Sequence, residues 1–396
     1  MEIERIICDR TRAIDASGIR RVFQLGRDIP DKVDLSIGQP DFPVPDNVKD
    51  AAIRAILEDR NGYTLTQGVP ELHERVGLHL AEDLGWPADS GRAGSDVGTI
   101  VSTGTSGALH IAFLAILGQG DEIIIPDPYF VAYPHMAKLC GANAVRCPVY
   151  PDFRMTAARV EPLMTKRTKA VLLNSPGNPS GVVNSTKECN ELLELCRSKN
   201  VLLISDEIYD EFTFEDAREE TGRPGLGKRC PSPARVDRAW EDVLLVRGFG
   251  KTFGCTGWRM GYTSGPRPLI EAMSKMQQYS FVCAPTPLQW GCLETFRTDM
   301  TAQVEQYRQR RDMVVERLSK VTEIVKPGGA FYVFAPVPKK LELTSREFFE
   351  RALAKKVLII PGDVFSDRDT HFRLSYAVAD SVLEKGLDVL EELMRG

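Results

Sequence analysis

The chain has 396 residues, 43% hydrophobic and 27% charged, with a formal net charge of -5 and nine cysteines. This is ordinary globular composition, and at about 150 residues per domain it predicts roughly two to three domains. The acidic balance argues against a nucleic-acid partner. The densest basic run, "YRQRRD" from Tyr307, has acidic neighbours in Glu305, Asp312 and Glu316 and reads as a solvated helix face.

No two cysteines form a CxxC pair, and their number is odd. Neither a zinc site nor a redox dithiol is expected, and scattered free thiols suit a reducing cytoplasm. The five histidines show no HExxH spacing, so no metal site is expected. The N-terminus "MEIERIICDR" mixes acids and bases and does not read as a signal peptide. The longest apolar stretch, Ala108 to Leu117, is too short for the roughly twenty residues of a membrane span and reads as a buried helix.

In chain order, short apolar runs rich in β-branched residues alternate with helical patterns. Candidate strands are "TIVST" from Thr99, "EIIIP" from Glu122, "KAVLLN" from Lys169, "VLLIS" from Val201, "DVLLVR" from Asp242 and "MGYTS" from Met260. Near-continuous apolar runs are the mark of strands covered on both faces. The amphipathic stretch "STKECNELLELCRSKN" from Ser185 is one of the intervening helices. Strand and helix in series predict an α/β fold with a mainly parallel sheet flanked by helices.

After "CAPTP" at Cys283 the pattern changes to one long helical stretch, about Leu288 to Ser319. Then come "AFYVFAPV", a helix from Ser345, "VLIIP", "FRLSYA" and a closing helix from Asp380. This predicts a large domain over 46–285. A smaller α+β domain would combine 286–396 with the N-terminal segment 1–45, whose "SIGQPDFPVP" has no local strand partner.

In an open parallel sheet, ligands bind beyond the carboxyl ends of the strands. The segments that follow the strands are "GTSGALH", "NSPGNPSG", "DEIYDEF" and "GFGKTFGCTGWRMGY". Gly104, Thr105, Ser106, Asn178, Asp206, Tyr209 and Lys251 should therefore converge on one crevice. A glycine-bearing turn that opens a helix offers N–H groups and a positive dipole end to a phosphate. Those residues, with an arginine, suit a ring bearing a nitrogen, a phenolic oxygen and a phosphate, the features of pyridoxal 5'-phosphate.

The ordered set "LSIGQPDFPVP", "GYTLTQGVPELHERV", "TGTSGAL", "DPYFVAYP", "NSPGNPSG", "SDEIYDEF", "GFGKTFGCTGWRMGY", "PGGAFYVF" and "FRLSYA" resembles the class I, fold-type I aminotransferases of the aspartate and aromatic type. The likeness spans nearly the whole chain. It implies a seven-stranded, mainly parallel sheet, a pyridoxal 5'-phosphate cofactor, and amino-acid and 2-oxo-acid substrates. It also implies a ping-pong reaction and a cytoplasmic homodimer.

By this resemblance Lys251 is the Schiff-base lysine and the base that moves the α-proton. Asp206 pairs with the ring nitrogen. Tyr209 and Asn178 bond the phenolic oxygen, although Asn178 alone reads equally well as a turn residue. Gly104, Thr105, Ser106 and Arg259 bind the phosphate. Phe130 stacks on the ring, although a lone aromatic after a strand is more often core. Tyr63 reaches the phosphate of the neighbouring subunit. Arg373 clamps the substrate α-carboxylate, and Gly38 lines the same pocket.

Two positions depart from the family pattern. Gly250 stands where many relatives have a serine that adds a phosphate hydrogen bond. Ser106 stands where bacterial aspartate-specialised relatives often carry a lysine for the distal carboxylate; Arg20 or Arg21 in "SGIRRVF" could supply that charge. The expectation is a broad enzyme using neutral or aromatic donors with 2-oxoglutarate. The alternatives are an aspartate aminotransferase and a carbon–sulfur β-lyase of the same fold. A P-loop is excluded because GxxxxGK[ST] needs glycine at 245, which is Leu245. A cofactor-sensing DNA-binding regulator is disfavoured because no helix-turn-helix pattern fits the first forty or so residues.

Overall fold

The structure is a computed structural model that describes residues 2–88 and 95–396. The N-terminal segment holds helices α1 (Asp9–Arg12) and α2 (Gly18–Gly26) and the short strand β1 (Val33–Asp34). Helices α3 (Asp46–Leu57) and α4 (Pro70–Leu84) follow. The core then alternates strand and helix: β2 (Val97–Ser102), α5 (Gly104–Ile116), β3 (Glu122–Asp127), α6 (Ala132–Leu139), β4 (Asn143–Pro148), α7 (Ala157–Val160), β5 (Thr168–Asn174), α8 (Thr186–Lys199) and β6 (Leu202–Asp206). A small hairpin, β7 (Glu219–Glu220) and β8 (Lys228–Arg229), precedes β9 (Val243–Gly248), β10 (Gly261–Pro266) and α9 (Arg267–Gln278).

Seven of these strands form one sheet in the order β2-β10-β9-β6-β5-β3-β4. All neighbours are parallel except β10, which is antiparallel to both β2 and β9. The six expected strands are all present. The seventh, β4, has a half-exposed pattern at the sheet edge, so it lacks the continuous apolar run that marks the others. Strands β2 and β3 are buried along their whole length, as a sheet covered on both faces requires. Helix α5 is apolar on nearly every side and buries Leu109, Ile111 and Phe113, so it can only sit inside the protein. Helix α8 opens with a capping box: Ser185 Oγ accepts from the Glu188 N–H, and Glu188 accepts from the Ser185 N–H at 2.7 Å.

The C-terminal part contains α10 (Thr286–Thr295), α11 (Thr301–Leu318), β11 (Tyr332–Pro336), α12 (Ser345–Ala354), β12 (Val357–Leu358), β13 (Ile360–Pro361), β14 (His371–Ser375) and α13 (Asp380–Arg395). The expected single helix from Leu288 is two helices. Asp299 accepts the Thr301 N–H at 2.9 Å and starts α11 afresh. The "VLIIP" run divides because its halves serve different sheets. β12 pairs in parallel with β1, and β13 pairs with β14, which also pairs with β11. β1 of the N-terminal segment is thus paired with the C-terminal part.

The "YRQRRD" run is not simply a solvated face. Tyr307, Arg310 and Arg311 are buried, while Arg308 stays at the surface with Glu305 and Asp312. Arg310 binds both oxygens of Asp41 at 3.0 Å and Asp380 at 2.7 Å. Arg311 pairs with Asp216 at 3.1 Å. The partners are up to 269 residues away, so the local charge pattern could not show them.

Candidate active site

The carboxyl ends of the parallel strands face a cavity of about 390 Å³. Its lining includes Gly38, Gly104, Thr105, Ser106, Phe130, Asn178, Asp206, Tyr209, Lys251, Arg259 and Arg373. Every expected site residue but one is therefore in a single cavity. The exception is Tyr63, which is 88% exposed and lies outside it. Arg20 also lines the cavity with Ile19 and Phe23 of α2, whereas Arg21 does not.

Each group arrives there by strand geometry. Asp206 is the last residue of β6, and Lys251 follows the end of β9 by three residues. Because β10 runs antiparallel, its beginning lies at the same edge, which delivers Arg259 just before it. Arg259 has a left-handed backbone, φ 55°, a conformation that costs a residue with a side chain about 1–2 kcal/mol. Gly104, at φ +69°, begins α5; a Cβ there would come within 2.9 Å of Arg259 Nη2. Gly261 packs so closely on this turn that a Cβ would meet the Thr105 nitrogen at 2.9 Å. The start of α5 and the Arg259 guanidinium thus form a cradle of donors with no side chain filling it.

Asp206 is buried, and burial pushes its carboxyl up to about 6. Two hydrogen bonds oppose that rise by favouring the anion. Tyr133 O–H donates to its Oδ2 at 2.7 Å, and the Ile208 N–H donates to its Oδ1 at 3.3 Å. Lys251 donates to the Gly38 carbonyl oxygen. Burial, then the positive charges of Arg373 and Arg259, bring its amine down to about 7, with Asp206 acting in the other direction.

Across the cavity, the buried Arg373 donates to Asn178 Oδ1 at 3.1 Å and to the Ser36 carbonyl at 2.8 Å, while its Nε has no partner among the described residues. Tyr209 and Tyr332 share a hydroxyl–hydroxyl bond of 3.1 Å. Gly38 is close enough to Tyr332 that a Cβ would lie 3.2 Å from its hydroxyl. Tyr133 and Tyr332 are site residues that no local sequence signal marks as such. Both lie in conspicuous segments, "DPYFVAYP" and "PGGAFYVF", but their partners are 73 and 123 residues away.

A family model described as aminotransferase class I and II matches residues 30–390. The chain belongs to this family. It is 33% identical to the aspartate aminotransferase of Pyrococcus abyssi, over 98% of each chain. It is 30% identical to aromatic-amino-acid aminotransferase 2 of Thermococcus litoralis, again over 98% of each. The solved aspartate aminotransferase of Thermus thermophilus with maleate superposes with a TM-score of 0.88 at 34% identity, covering 98% of this chain and 99% of that one.

This aminotransferase therefore has the fold-type I architecture, depends on pyridoxal 5'-phosphate and acts on amino-acid and 2-oxo-acid substrates. The donor set in its cavity fits that group: open N–H groups and an arginine for a phosphate, a buried carboxylate for a ring nitrogen, and a lysine amine. Among the described residues no helix is long and apolar enough to cross a membrane.

Proposed function

We propose that this aminotransferase carries the α-amino group of neutral and aromatic amino acids to 2-oxoglutarate, with Lys251 as its catalytic base. The observation that carries the reading is Lys251 itself: its amine shares one cavity with Asp206 and Arg373 and is brought down to about 7. Bound pyridoxal 5'-phosphate supplies a carbonyl carbon that takes up an amine and a ring that accepts the electron pair left on the α-carbon. Asp206 holds the ring nitrogen, with Tyr133 keeping the carboxylate in place. Asn178 and Tyr209 hold the phenolic oxygen. Gly104, Thr105 and Ser106 N–H groups and the Arg259 fork hold the phosphate, and Phe130 covers the ring. Arg373 binds the substrate carboxylate, for which its unpartnered Nε is suited. Lys251 in its neutral form is the base that would move the proton from the substrate α-carbon to the cofactor.

The donor range is supported by the other residues that line the cavity. Ser106 brings no charge, while Ile19, Phe23 and Phe130 are apolar and Arg20 alone of the "RR" pair reaches in. Apolar side chains fit neutral donors, and Arg20 fits the distal carboxylate of 2-oxoglutarate. A half-reaction screen tests this: holoenzyme is mixed with single amino acids and the cofactor's visible absorbance is followed as it bleaches. Aspartate favoured by about a hundredfold in kcat/KM, near 2.7 kcal/mol, would overturn the donor range. Normal turnover by Lys251→Ala would overturn the role of Lys251.

The enzyme is further proposed to be a homodimer with shared sites, Tyr63 reaching the partner's phosphate. Support comes from an apolar exposed patch. Gln277 donates to the Thr66 carbonyl at 2.6 Å and Thr286 to the Gly62 carbonyl at 2.7 Å. These bonds set Tyr63 and Leu65 beside the exposed Tyr279, Phe281 and Val282, a patch of the kind that marks an interface. Light scattering tests the assembly. A large domain over 46–285 and a small one from 1–45 with 286–396 are supported by the β1–β12 pair and the separate three-stranded sheet. A cytoplasmic setting is supported by nine free thiols.

A further inference from the structure

Behind the strand ends that face the cavity lies a buried cluster of charges. Arg247 is 3% exposed and Glu207 1%. Arg247 Nε and Nη2 both donate to Glu207 Oε2, at 3.0 and 2.9 Å, and Nη1 donates to Asp83 Oδ2 at 2.9 Å. Arg247 Nε is also 3.0 Å from Asp210 Oδ2. The second oxygen of Glu207 accepts from Ser205 and Ser232, at 2.8 and 2.5 Å, and Arg235 completes Asp83 at 3.1 Å.

The placement of these groups is systematic. Successive side chains of a strand point to opposite faces, so Glu207 sits behind Asp206. Asp210 directly follows Tyr209 and opens a short 3-10 turn, and Arg247 precedes Lys251 by four residues. The β6–β9 pairing ends at Asp206 and Val246, with a last bond from the Glu207 N–H to the Val246 carbonyl at 2.9 Å. Beyond it the two chains part, and the Arg247 guanidinium bridges them. Thr252 and Phe253 line a second cavity of about 440 Å³ beside this bridge, lined also by Asp83, Asp210 and Arg247. Buried ion clusters seldom add stability over apolar side chains of equal volume, whereas an arginine fork fixes direction.

We propose that Arg247 is a positioning residue for transamination: through Glu207 and Asp210 it fixes the strand ends that carry Asp206, Tyr209 and Lys251. It also offsets the negative charge of Glu207, which sits next to Asp206. His79 and Asp83 of α4, Glu207 and Asp210 after β6, Tyr262 of β10 and, beyond Asp83, Arg235 are the ionisable groups around it. This inference rests on the roles proposed above for Lys251 and Asp206.

The test compares Arg247→Gln, Arg247→Lys, Glu207→Gln and Lys251→Ala holoenzymes. kcat and the KM of the amino donor are measured, with the pH midpoint of the cofactor's visible absorbance and the melting temperature. Arg247→Gln is expected to lower kcat by about ten- to a hundredfold, the scale of a small misplacement at the reacting atoms, with little change in KM and a displaced absorbance midpoint. Arg247→Lys should recover part of kcat, and adding Glu207→Gln to Arg247→Gln should bring the midpoint back. A lower melting temperature with unchanged kcat and midpoint would overturn the proposal. Should Arg247→Gln not fold, Arg247→Lys and Glu207→Gln decide: wild-type kcat and midpoint in both overturn it. Turnover by Lys251→Ala would instead overturn the proposed role of Lys251, whatever Arg247→Gln does.

Discussion

The environment of Lys251 makes a measurable demand on the cofactor-free protein. Bringing its amine from 10.5 to about 7 disfavours the ammonium by about 5 kcal/mol, at 1.36 kcal/mol per factor of ten. At pH 7 about half of the Lys251 side chains should then be neutral, against roughly one in three thousand for an ordinary lysine. Burial is the larger cause and Arg373 the next, so Arg373→Met should raise the midpoint while leaving most of the displacement. The assay is competitive acylation of cofactor-free protein across pH 5–11, about the range that brackets both values, with each lysine's label read by mass spectrometry. The folded value lies below the unfolded one. This group's contribution to stability is therefore full above about pH 10.5, falls as pH drops towards 7, and is absent below. A Lys251 midpoint near 10, about that of an unperturbed lysine, would refute the reasoning.

Three other outcomes follow from the geometry. Tyr133→Phe removes the 2.7 Å donor that favours the Asp206 anion; a bond to a charged group is worth about 1.5–3 kcal/mol. Its kcat should fall roughly tenfold or more, and the acid limb of its pH–rate profile should move to higher pH, because Asp206 then ionises later. Gly250→Ser should hold the cofactor more tightly, by at most the same 1.5–3 kcal/mol or so. The gain is reduced because a Cβ there meets Thr256 Cα at 3.3 Å; equilibrium dialysis measures it. Arg310→Met strands Asp41 and Asp380. It should cost roughly 2–3 kcal/mol in urea denaturation, less than the usual 3–5 for a fully buried pair because both carboxylates are part-exposed.

Much of the fold was legible because parallel strands covered on both faces must be apolar throughout. The apolar runs at Thr99, Glu122, Lys169, Val201, Asp242 and Met260 therefore mark six of the seven strands. β4 lacks such a run because it is half-exposed at its edge, unlike β2 at the other edge, which is buried throughout. The expected long helix from Leu288 failed because its helical periodicity continues past residues 296–300, where Asp299 restarts the chain. The reading of Tyr307 to Arg311 as solvated failed for Arg310 and Arg311, whose neutralising carboxylates come from distant segments.

By itself, the sequence determined which segments stand at the strand ends, and so gathered Asn178, Asp206, Tyr209 and Lys251. Strand geometry is local, and a residue that follows a buried parallel strand has only one edge of the sheet to occupy. Tertiary structure alone decided the rest. It turned β10 antiparallel so that Arg259 meets Gly104, brought Tyr133 to Asp206 across 73 residues, admitted Arg20 but not Arg21, and placed Arg247 against Glu207 behind the site. Those are contacts between residues far apart in the chain, set by packing and charge in three dimensions, which local periodicity does not encode.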